Sequence, residues 1–223
     1  MLHKVLALLF PPRCVLCRKF LAKEETDLCH HCREAAPKCK KSNFRLSFVA
    51  GWTAVWYYKD TVRKSLCRYK FSGRRSYAPV YGRVLAMKLQ KEALCDFDLL
   101  TFVPIAPLRR LNRGYDQVEL LAQAVGAELG TQPHCTLRKI RNTPPQSRIK
   151  DPARRRANVL GAYKAVDPEL VRGKRVLLLD DIITTGATVS ECARVLLTAG
   201  AKEVFCAAVA ASPHTTNNTK TSR

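Results

Sequence analysis

Two adjacent carboxylates, Asp180 and Asp181, stand between an apolar run and a turn rich in hydroxyl groups. The run, Val176 to Leu179, is short enough for a buried parallel strand. Acids at the carboxyl end of such a strand can accept hydrogen bonds from the vicinal hydroxyls of a sugar, or can hold a hard cation such as Mg²⁺. We therefore expect this pair to bind a sugar, directly or through a metal ion.

The turn that follows the acid pair has the composition of an anion site. Its backbone N–H groups and the positive end of the next helix, predicted over Val189–Thr198, can hold a phosphate. Gly186 permits a close approach of the backbone. The residues expected to surround the phosphate are Thr184, Thr185, Gly186, Ala187 and Thr188. Acids on one side and an anion site on the other suit a sugar phosphate.

The stretch from Val176 to Thr188 resembles the phosphoribosyl-pyrophosphate (PRPP) signature of type I phosphoribosyltransferases, with four apolar residues, two acids and a T-T-G-x-T turn. The resemblance implies PRPP as a ligand, Mg²⁺ as its companion, and Asp180 and Asp181 as the catalytic residues at the ribose. The alternative is a strand and helix joined by a turn that is merely rich in threonine. It is disfavoured because a buried strand ending in two unpaired acids is costly.

The ten cysteines divide into a cluster and scattered single residues. The members of the cluster are Cys14, Cys17, Cys29 and Cys32. Two C-x-x-C knuckles this close together suit tetrahedral Zn²⁺, and so short a segment has too little core to fold alone. We predict a structural zinc site with no open position for catalysis, to which His30, His31 and Cys39 are spare ligands.

Strands and helices alternate along the remaining chain. Apolar segments predict strands over Ala50–Tyr58, Phe97–Val103 and Glu203–Ala210, while apolar residues recur at helical spacing between Val118 and Leu129. This alternation predicts an α/β fold with a doubly wound, mostly parallel sheet of the type I phosphoribosyltransferase type, preceded by a small zinc module with four cysteine ligands.

Length and composition agree with one medium domain and a small appendage. The chain has 223 residues, of which 47% are hydrophobic, and this is ample for a core. The predicted boundaries are 1–41 for the zinc module, 45–211 for the main domain and 212–223 for a disordered tail.

The charge is strongly positive, with 39 Lys and Arg against 18 Asp and Glu, a formal net charge of +21. Such a balance favours polyanionic partners, either nucleic acid or phosphorylated metabolites. No segment approaches the length of a membrane-spanning helix, so we expect a cytoplasmic protein without membrane insertion.

With the zinc knuckles and the PRPP signature, two further stretches resemble the ComF family, which is associated with DNA uptake in natural competence. The first is V-P-I-A-P-L from Val103 and R-G-Y-D-Q from Arg113, similar to V-P-x-P-L and R-G-F-N-Q. It has one extra residue in the turn, and Asp116 stands where Asn is usual. The resemblance implies that this turn binds pyrophosphate, and Arg109 and Arg113 offer forked donors there. Alternatively, these arginines only solvate the start of a helix.

The second stretch is R-N-T-P-P-Q from Arg141, continued by R-R-A-N-V-L-G-A-Y from Arg155. It is similar to R-x-T-x-x-Q and R-x-x-N-x-x-G-A-F. So basic a segment buries little and predicts a mobile loop that includes Arg141, Gln146 and Arg155. The resemblance implies a hood that closes over the active site and excludes water. The loop can equally follow a DNA backbone, or be a solvated run of charge.

A weaker similarity begins at Tyr58 and includes Lys70 and Gly73, in the pattern Y-x-x-x-x-R-x-x-L-x-x-x-K-x-x-G. It implies a role for Lys70 and Gly73 in the same family.

Two functions fit these residues. The resemblance implies a competence protein that handles incoming single-stranded DNA, with PRPP as a ligand and other DNA-uptake proteins as further partners. The alternative is a metabolic phosphoribosyltransferase in which a nitrogen acceptor displaces pyrophosphate from PRPP. The zinc module and the net charge favour the first. The acid pair and the threonine-rich turn are required by the second and permitted by the first, so enzymatic activity stays open.

Overall fold

The computed structural model describes residues 11–40, 44–144, 146, 149 and 151–213. Within these ranges the helices are α1 (His30–Ala35), α2 (Asp60–Phe71), α3 (Ala78–Lys91), α4 (Pro107–Arg113), α5 (Gln117–Leu129), α6 (Pro152–Val159), α7 (Pro168–Val171) and α8 (Ala187–Thr198). The strands are β1 (Gly51–Tyr57), β2 (Leu99–Phe102), β3 (Pro133–His134), β4 (Leu137–Lys139), β5 (Tyr163–Ala165), β6 (Arg175–Ile183) and β7 (Glu203–Ala211). Strands and helices thus alternate as predicted.

Five strands form a parallel sheet in the order β1-β7-β6-β2-β3. The central strand β6 pairs with β7 on one side and with β2 on the other, so it is buried by both neighbours. Strands β4 and β5 form a separate antiparallel pair. This topology confirms the predicted α/β fold with a mostly parallel sheet.

Helices cover both faces of the sheet. Leu177 and Leu179 of β6 belong to an apolar cluster that includes residues of α2, α3 and α5. Val176 and Leu178 belong to a second cluster with residues of α8 and of the β4–β5 pair. Successive residues of a strand point to opposite faces, so β6 contributes to both layers of the core.

The cysteine-rich segment packs against the first of these layers. Val15 and Leu16 are buried in the same cluster as Leu66 of α2 and Tyr81 of α3. Farther along, Lys38 forms an antiparallel bridge with Trp56 of β1. The ribbon is therefore joined to the main domain by a continuous core and by backbone pairing.

The predicted boundaries at 41, 45 and 212 stay predictions, and residues 1–10, 41–43 and 214–223 lie outside the described part.

Two segments differ from the sequence-based expectation. Strand β6 continues through both acids to Ile183, because β7 extends to Ala211 and pairs with it over this length. The last part of the segment predicted as a mobile loop is the helix α6 from Pro152, since Asp151 accepts a hydrogen bond from the N–H of Arg154 and so caps the helix. No helix in the described part of the chain is long and apolar enough to cross a membrane.

Candidate functional site

The predicted site residues meet at the carboxyl edge of the parallel sheet. Phe102 of β2 pairs with Leu179 of β6, so α4 leaves the sheet beside Asp180. Parallel strands end at the same edge, and ligands of open α/β sheets bind there. The acid pair, the 184–188 turn and the arginines of α4 therefore share one edge.

Asp181 is held by groups from two helices. Lys70 Nζ, on the last turn of α2, lies 2.8 Å from Asp181 Oδ1. Gln117 Nε2, on the first turn of α5, donates to Asp181 Oδ2 at 2.8 Å. Arg113 Nη1 in turn donates to Gln117 Oε1. Asp181 is thus neutralised by Lys70 and connected through Gln117 to a predicted pyrophosphate arginine.

Asp180 points to the other face of the sheet and lies in a less favourable environment. Burial raises the pKa of Asp180 to about 8, and the neighbouring charge of Asp181 adds to the increase. Asp180 Oδ1 accepts a hydrogen bond of 2.7 Å from the backbone N–H of Asp181. The ionised form of such a carboxyl group would be stabilised by a hydroxyl donor or by a cation.

The 184–188 turn joins β6 directly to the N-terminus of α8. Gly186 caps this helix with φ of 76°. A Cβ atom there would collide with the side chain of Leu46, so both the left-handed backbone and the close contact require glycine. The first N–H groups of a helix lack intrahelical acceptors, so this end of α8 has donors for an anion, and the phosphate site expected there stays a prediction.

Arg109 connects α4 to the predicted hood. Arg109 Nη2 donates to the backbone carbonyl of Thr143 at 2.6 Å. Thr143 is 6% exposed, and its Oγ1 makes no hydrogen bond with any residue that the structure describes. A buried hydroxyl without a partner is costly, and a ligand held by Arg109 would satisfy it. Arg109 and Thr143 together suit a phosphate oxygen.

The predicted loop residues bond mainly within their own segment. Arg141 Nη2 donates to the carbonyl of Asn158, and Gln146 Nε2 donates to the carbonyl of Arg155. Arg155 lies on α6 and not in a loop, because α6 begins at Pro152 and packs near α8. The structure therefore brings Gln146 to Arg155 and Arg141 to Asn158 of the same helix, and none of the three contacts the acid pair in the part of the chain that the structure describes.

Lys139 is a site residue that sequence reasoning missed. It is the last residue of β4, 7% exposed, and its Nζ lies 5.1 Å from the centre of the Tyr163 ring. Burial lowers the pKa of Lys139 to about 8, the charge of Arg109 lowers it further, and the charge of Asp180 opposes both. The available signal was strand alternation, which puts Lys139 on the same buried side as Leu137.

Gln117 was also missed as a functional side chain, although it ends the R-G-Y-D-Q stretch. Asp116, which stands where Asn is usual in the family, caps α5 through hydrogen bonds from Val118 and Glu119. It also accepts from the N–H of Ile105 at 3.0 Å, and so fixes the turn before α4. An acid therefore serves this position well as a cap.

The four clustered cysteines have the geometry of a metal centre. Their Sγ atoms lie within 4.8 Å of one another, and none of the four is in a disulfide. Cys17 Sγ and Cys29 Sγ are 3.6 Å apart, close to the ~3.8 Å edge of a tetrahedron with zinc–sulfur bonds of ~2.3 Å. Four thiolates and no oxygen ligand fit a structural Zn²⁺ ion.

Two protein-family models match this chain, one in each of its two predicted parts. The double zinc ribbon domain matches residues 5–43, and the phosphoribosyl transferase domain matches residues 121–222. The competence protein ComFC of Streptococcus pneumoniae is 29% identical over 180 residues, which are 81% of this chain and 74% of that protein. The chain is therefore similar to this competence protein over most of its length.

Other proteins similar to this chain carry related names. The DNA utilization protein YhgH of Escherichia coli O157:H7 is 29% identical, over 88% of this chain and 96% of that one. Competence protein F of Haemophilus influenzae is 26% identical, over 86% and 93%. The similarity therefore extends over both the zinc ribbon and the transferase domain.

Solved structures with detectable likeness are larger enzymes. The allosteric regulatory enzyme of purine biosynthesis has a TM-score of 0.43 at 24% identity, and this chain covers 29% of its length. Glutamine PRPP amidotransferase from B. subtilis has a TM-score of 0.42 at 25% identity and is covered over 30%. The chain thus spans less than a third of these proteins.

Proposed function

We propose that this protein handles incoming single-stranded DNA in the cytoplasm during natural competence, and that its transferase domain binds PRPP together with Mg²⁺. The names of its relatives support the role in DNA uptake. The net charge of +21 supports a polyanionic partner. Other DNA-uptake proteins are the further partners that this role implies.

One observation supports PRPP binding above all others. An acid pair, a helix N-terminus with a glycine cap and two arginines converge on one edge of the sheet. We assign the ribose hydroxyls to Asp180 and Asp181, the 5′-phosphate to residues 184–188, and the pyrophosphate to Arg109 and Arg113. Lys139 adds a second cation beside Arg109 for the same charge.

The carboxylates of Asp180 and Asp181 are oxygen ligands of the kind that Mg²⁺ prefers, and the high pKa of Asp180 gives this site a reason to accept a cation. When bound with PRPP, Mg²⁺ would neutralise part of the phosphate charge. Lys70 already offsets the charge of Asp181, which leaves Asp180 as the acid that gains more from a cation.

Phosphoribosyl transfer is the reaction that such a site would serve. A nitrogen lone pair forms a bond to C1 of the ribose while the bond from C1 to the pyrophosphate oxygen breaks, and pyrophosphate leaves with that electron pair. The nitrogen then gives its proton to solvent. Asp180 and Asp181 orient the ribose, and the cations of α4 stabilise the charge on the leaving group.

A metabolic phosphoribosyltransferase is the second candidate. The buried acid pair favours it, because DNA binding alone gives no reason to keep two costly carboxylates at a basic edge. Release of pyrophosphate from PRPP on addition of nucleobases would support this candidate. PRPP binding without such release would favour the DNA-handling protein.

The test is calorimetric titration of Mg-PRPP into the zinc-loaded protein and into the double variant Asp180→Asn/Asp181→Asn. We expect binding to the wild type and at least about a hundredfold loss in the variant, because several charge-assisted hydrogen bonds are removed. The matched control is Asp96→Asn/Asp98→Asn, which changes two acids beside Arg175 near the start of β6. Wild-type protein that does not bind, or a site variant that binds like the control, would overturn the proposal.

A further inference from the structure

The exposed ring of Phe71 lies beside groups of the candidate site. Phe71 is the last residue of α2 and is 73% exposed, although phenylalanine is among the residues most often buried. The guanidinium of Arg113 lies 5.1 Å from the centre of this ring. We infer that Phe71 is a stacking surface for an unpaired base of single-stranded DNA.

The ring is tied to the acid pair by short connections on two sides. Lys70, the residue before Phe71, makes the ion pair with Asp181. Arg113, which lies over the ring, donates to Gln117, and Gln117 donates to Asp181. A base on Phe71 would thus lie next to groups that hold the transferase site, and not on a remote surface.

The charge around Phe71 selects a polyanion as the occupant. No Asp or Glu occurs between Thr61 and Lys91, whereas this segment carries nine basic residues. They are Arg63, Lys64, Arg68, Lys70, Arg74, Arg75, Arg83, Lys88 and Lys91, of which Lys70, Arg83 and Lys88 form ion pairs with acids outside the segment. Arg74 and Arg75 follow Phe71 closely and are exposed. An apolar peptide would not need these cations, whereas the phosphates that flank a stacked base would.

The arrangement also selects single strands. An aromatic face with arginines beside it stacks on any unpaired base, whereas a paired base presents no free face. The Arg75 guanidinium lies 4.8 Å from the ring of Tyr115, which is buried, so this contact holds Arg75 in place and leaves Phe71 as the ring that is open to a base. This inference rests on the proposed role in DNA handling and specifies where the strand meets the transferase domain.

The experiment compares two labelled strands with equal numbers of phosphates. One is an oligodeoxythymidylate of about 20 nucleotides, and the other is an abasic strand of the same length. Fluorescence anisotropy is measured with the zinc-loaded full chain. We expect the wild type to prefer the strand with bases by about 5- to 100-fold, the range of one to a few base–aromatic stacks.

Three variants decide the role of the ring. Phe71→Ala and Phe71→Leu should bind both strands equally, whereas Phe71→Trp should keep the preference. Met87→Ala is the matched control, since Met87 is an exposed apolar residue of α3 with 66% exposure. Equal binding of both strands by the wild type, or a preference kept in Phe71→Leu or lost in Met87→Ala, would overturn the inference.

Calorimetry with Mg-PRPP separates this inference from the proposed function. Phe71→Ala should bind Mg-PRPP like the wild type, because Phe71 is not among the assigned ligand residues. Wild-type protein that binds Mg-PRPP and DNA without a preference for bases would overturn the role of Phe71 alone. Wild-type protein that binds neither strand would overturn the DNA-handling role with it.

Discussion

Asp180 and Asp181 are adjacent in sequence but differ in what surrounds them. Strand alternation turns Asp181 towards Lys70 and Gln117, while Asp180 faces the layer that contains Lys139 and Cys192. Asp181 is therefore paired in the free protein, and Asp180 pays for its burial. Removing the charge of Asp180 should therefore stabilise the free protein, and a ligand that compensates this charge should stabilise it in the same way.

Replacing Asp180 by Asn should stabilise the free protein, and more so at high pH. The folded pKa of Asp180 is raised, so between about pH 4 and about pH 8 the folded state holds a proton that the unfolded chain has released. The contribution of this group to stability therefore falls as pH rises. We expect Asp180→Asn to raise the melting temperature by several degrees at about pH 8 and by less at about pH 5.

The control for this prediction is Asp96→Asn, a surface variant with 77% exposure of the side chain. Thermal scans of both variants at the two pH values give the comparison. The same gain at both pH values for Asp180→Asn would contradict the assigned burial of an acid.

Much of the site could be predicted from local sequence, and the rest could not. The acid pair, the 184–188 turn and the arginines are contiguous motifs, and local patterns are enough to identify such groups. Lys139 escaped because a three-residue strand in a basic segment looks like a solvated run of charge. The pairing of Lys70 with Asp181 depends on tertiary structure that brings α2 to β6.

At the scale of elements, the first zinc knuckle fastens α2. Ser65 Oγ donates to the carbonyl of Val15, and Arg68 Nη2 donates to the carbonyls of Val15 and Leu16. Both carbonyls lie between Cys14 and Cys17, where a bound Zn²⁺ ion would set the shape of the loop. The same helix carries Lys70 at its far end. The knuckle is thereby joined through α2 to the acid pair.

We expect Arg68→Ala to lower stability by about 2–4 kcal/mol, since it removes two hydrogen bonds from a charged donor. The destabilisation caused by a zinc chelator should then be smaller in this variant than in the wild type, because the two changes act on one contact. Chemical denaturation with and without the chelator measures this difference. Arg63→Ala changes an exposed residue of the same helix, and the loss of stability that it causes should simply add to the loss caused by zinc removal. Strict additivity in Arg68→Ala would refute the connection.

The helices and strands were largely predictable from sequence. Their observed ends differ from the predicted ones where tertiary contacts extend an element. Apolar spacing identified α5 and α8, and Asp116 and Gly186 begin them. Sequence alone did not show that Lys38 would pair with β1 or that β6 would extend past its acids, because both depend on a neighbouring strand.

At the scale of the whole molecule, charge should govern the affinity for DNA. Each phosphate contact of a single strand contributes about −0.7 to the slope of log affinity against log salt concentration. About five contacts would therefore weaken binding roughly a hundredfold between about 50 mM and about 200 mM salt. Anisotropy titrations across this range measure the slope. An uncharged peptide nucleic acid of equal length is the control, and a flat response with DNA would contradict the role of the basic surface.

The sheet places its first strand beside its last. Gly51 of β1 pairs with Phe205 of β7, and the register continues to Tyr57 and Ala211. During synthesis at about 5–20 residues per second, β1 would leave the ribosome roughly 7–30 s before β7 exists. In that interval the zinc ribbon has already been synthesised, and it can pack against α2 and pair with β1 at Lys38. The ribbon thus covers the outer edge of β1 early, and the inner edge, which receives β7, is the one that stays unpaired until the chain is complete.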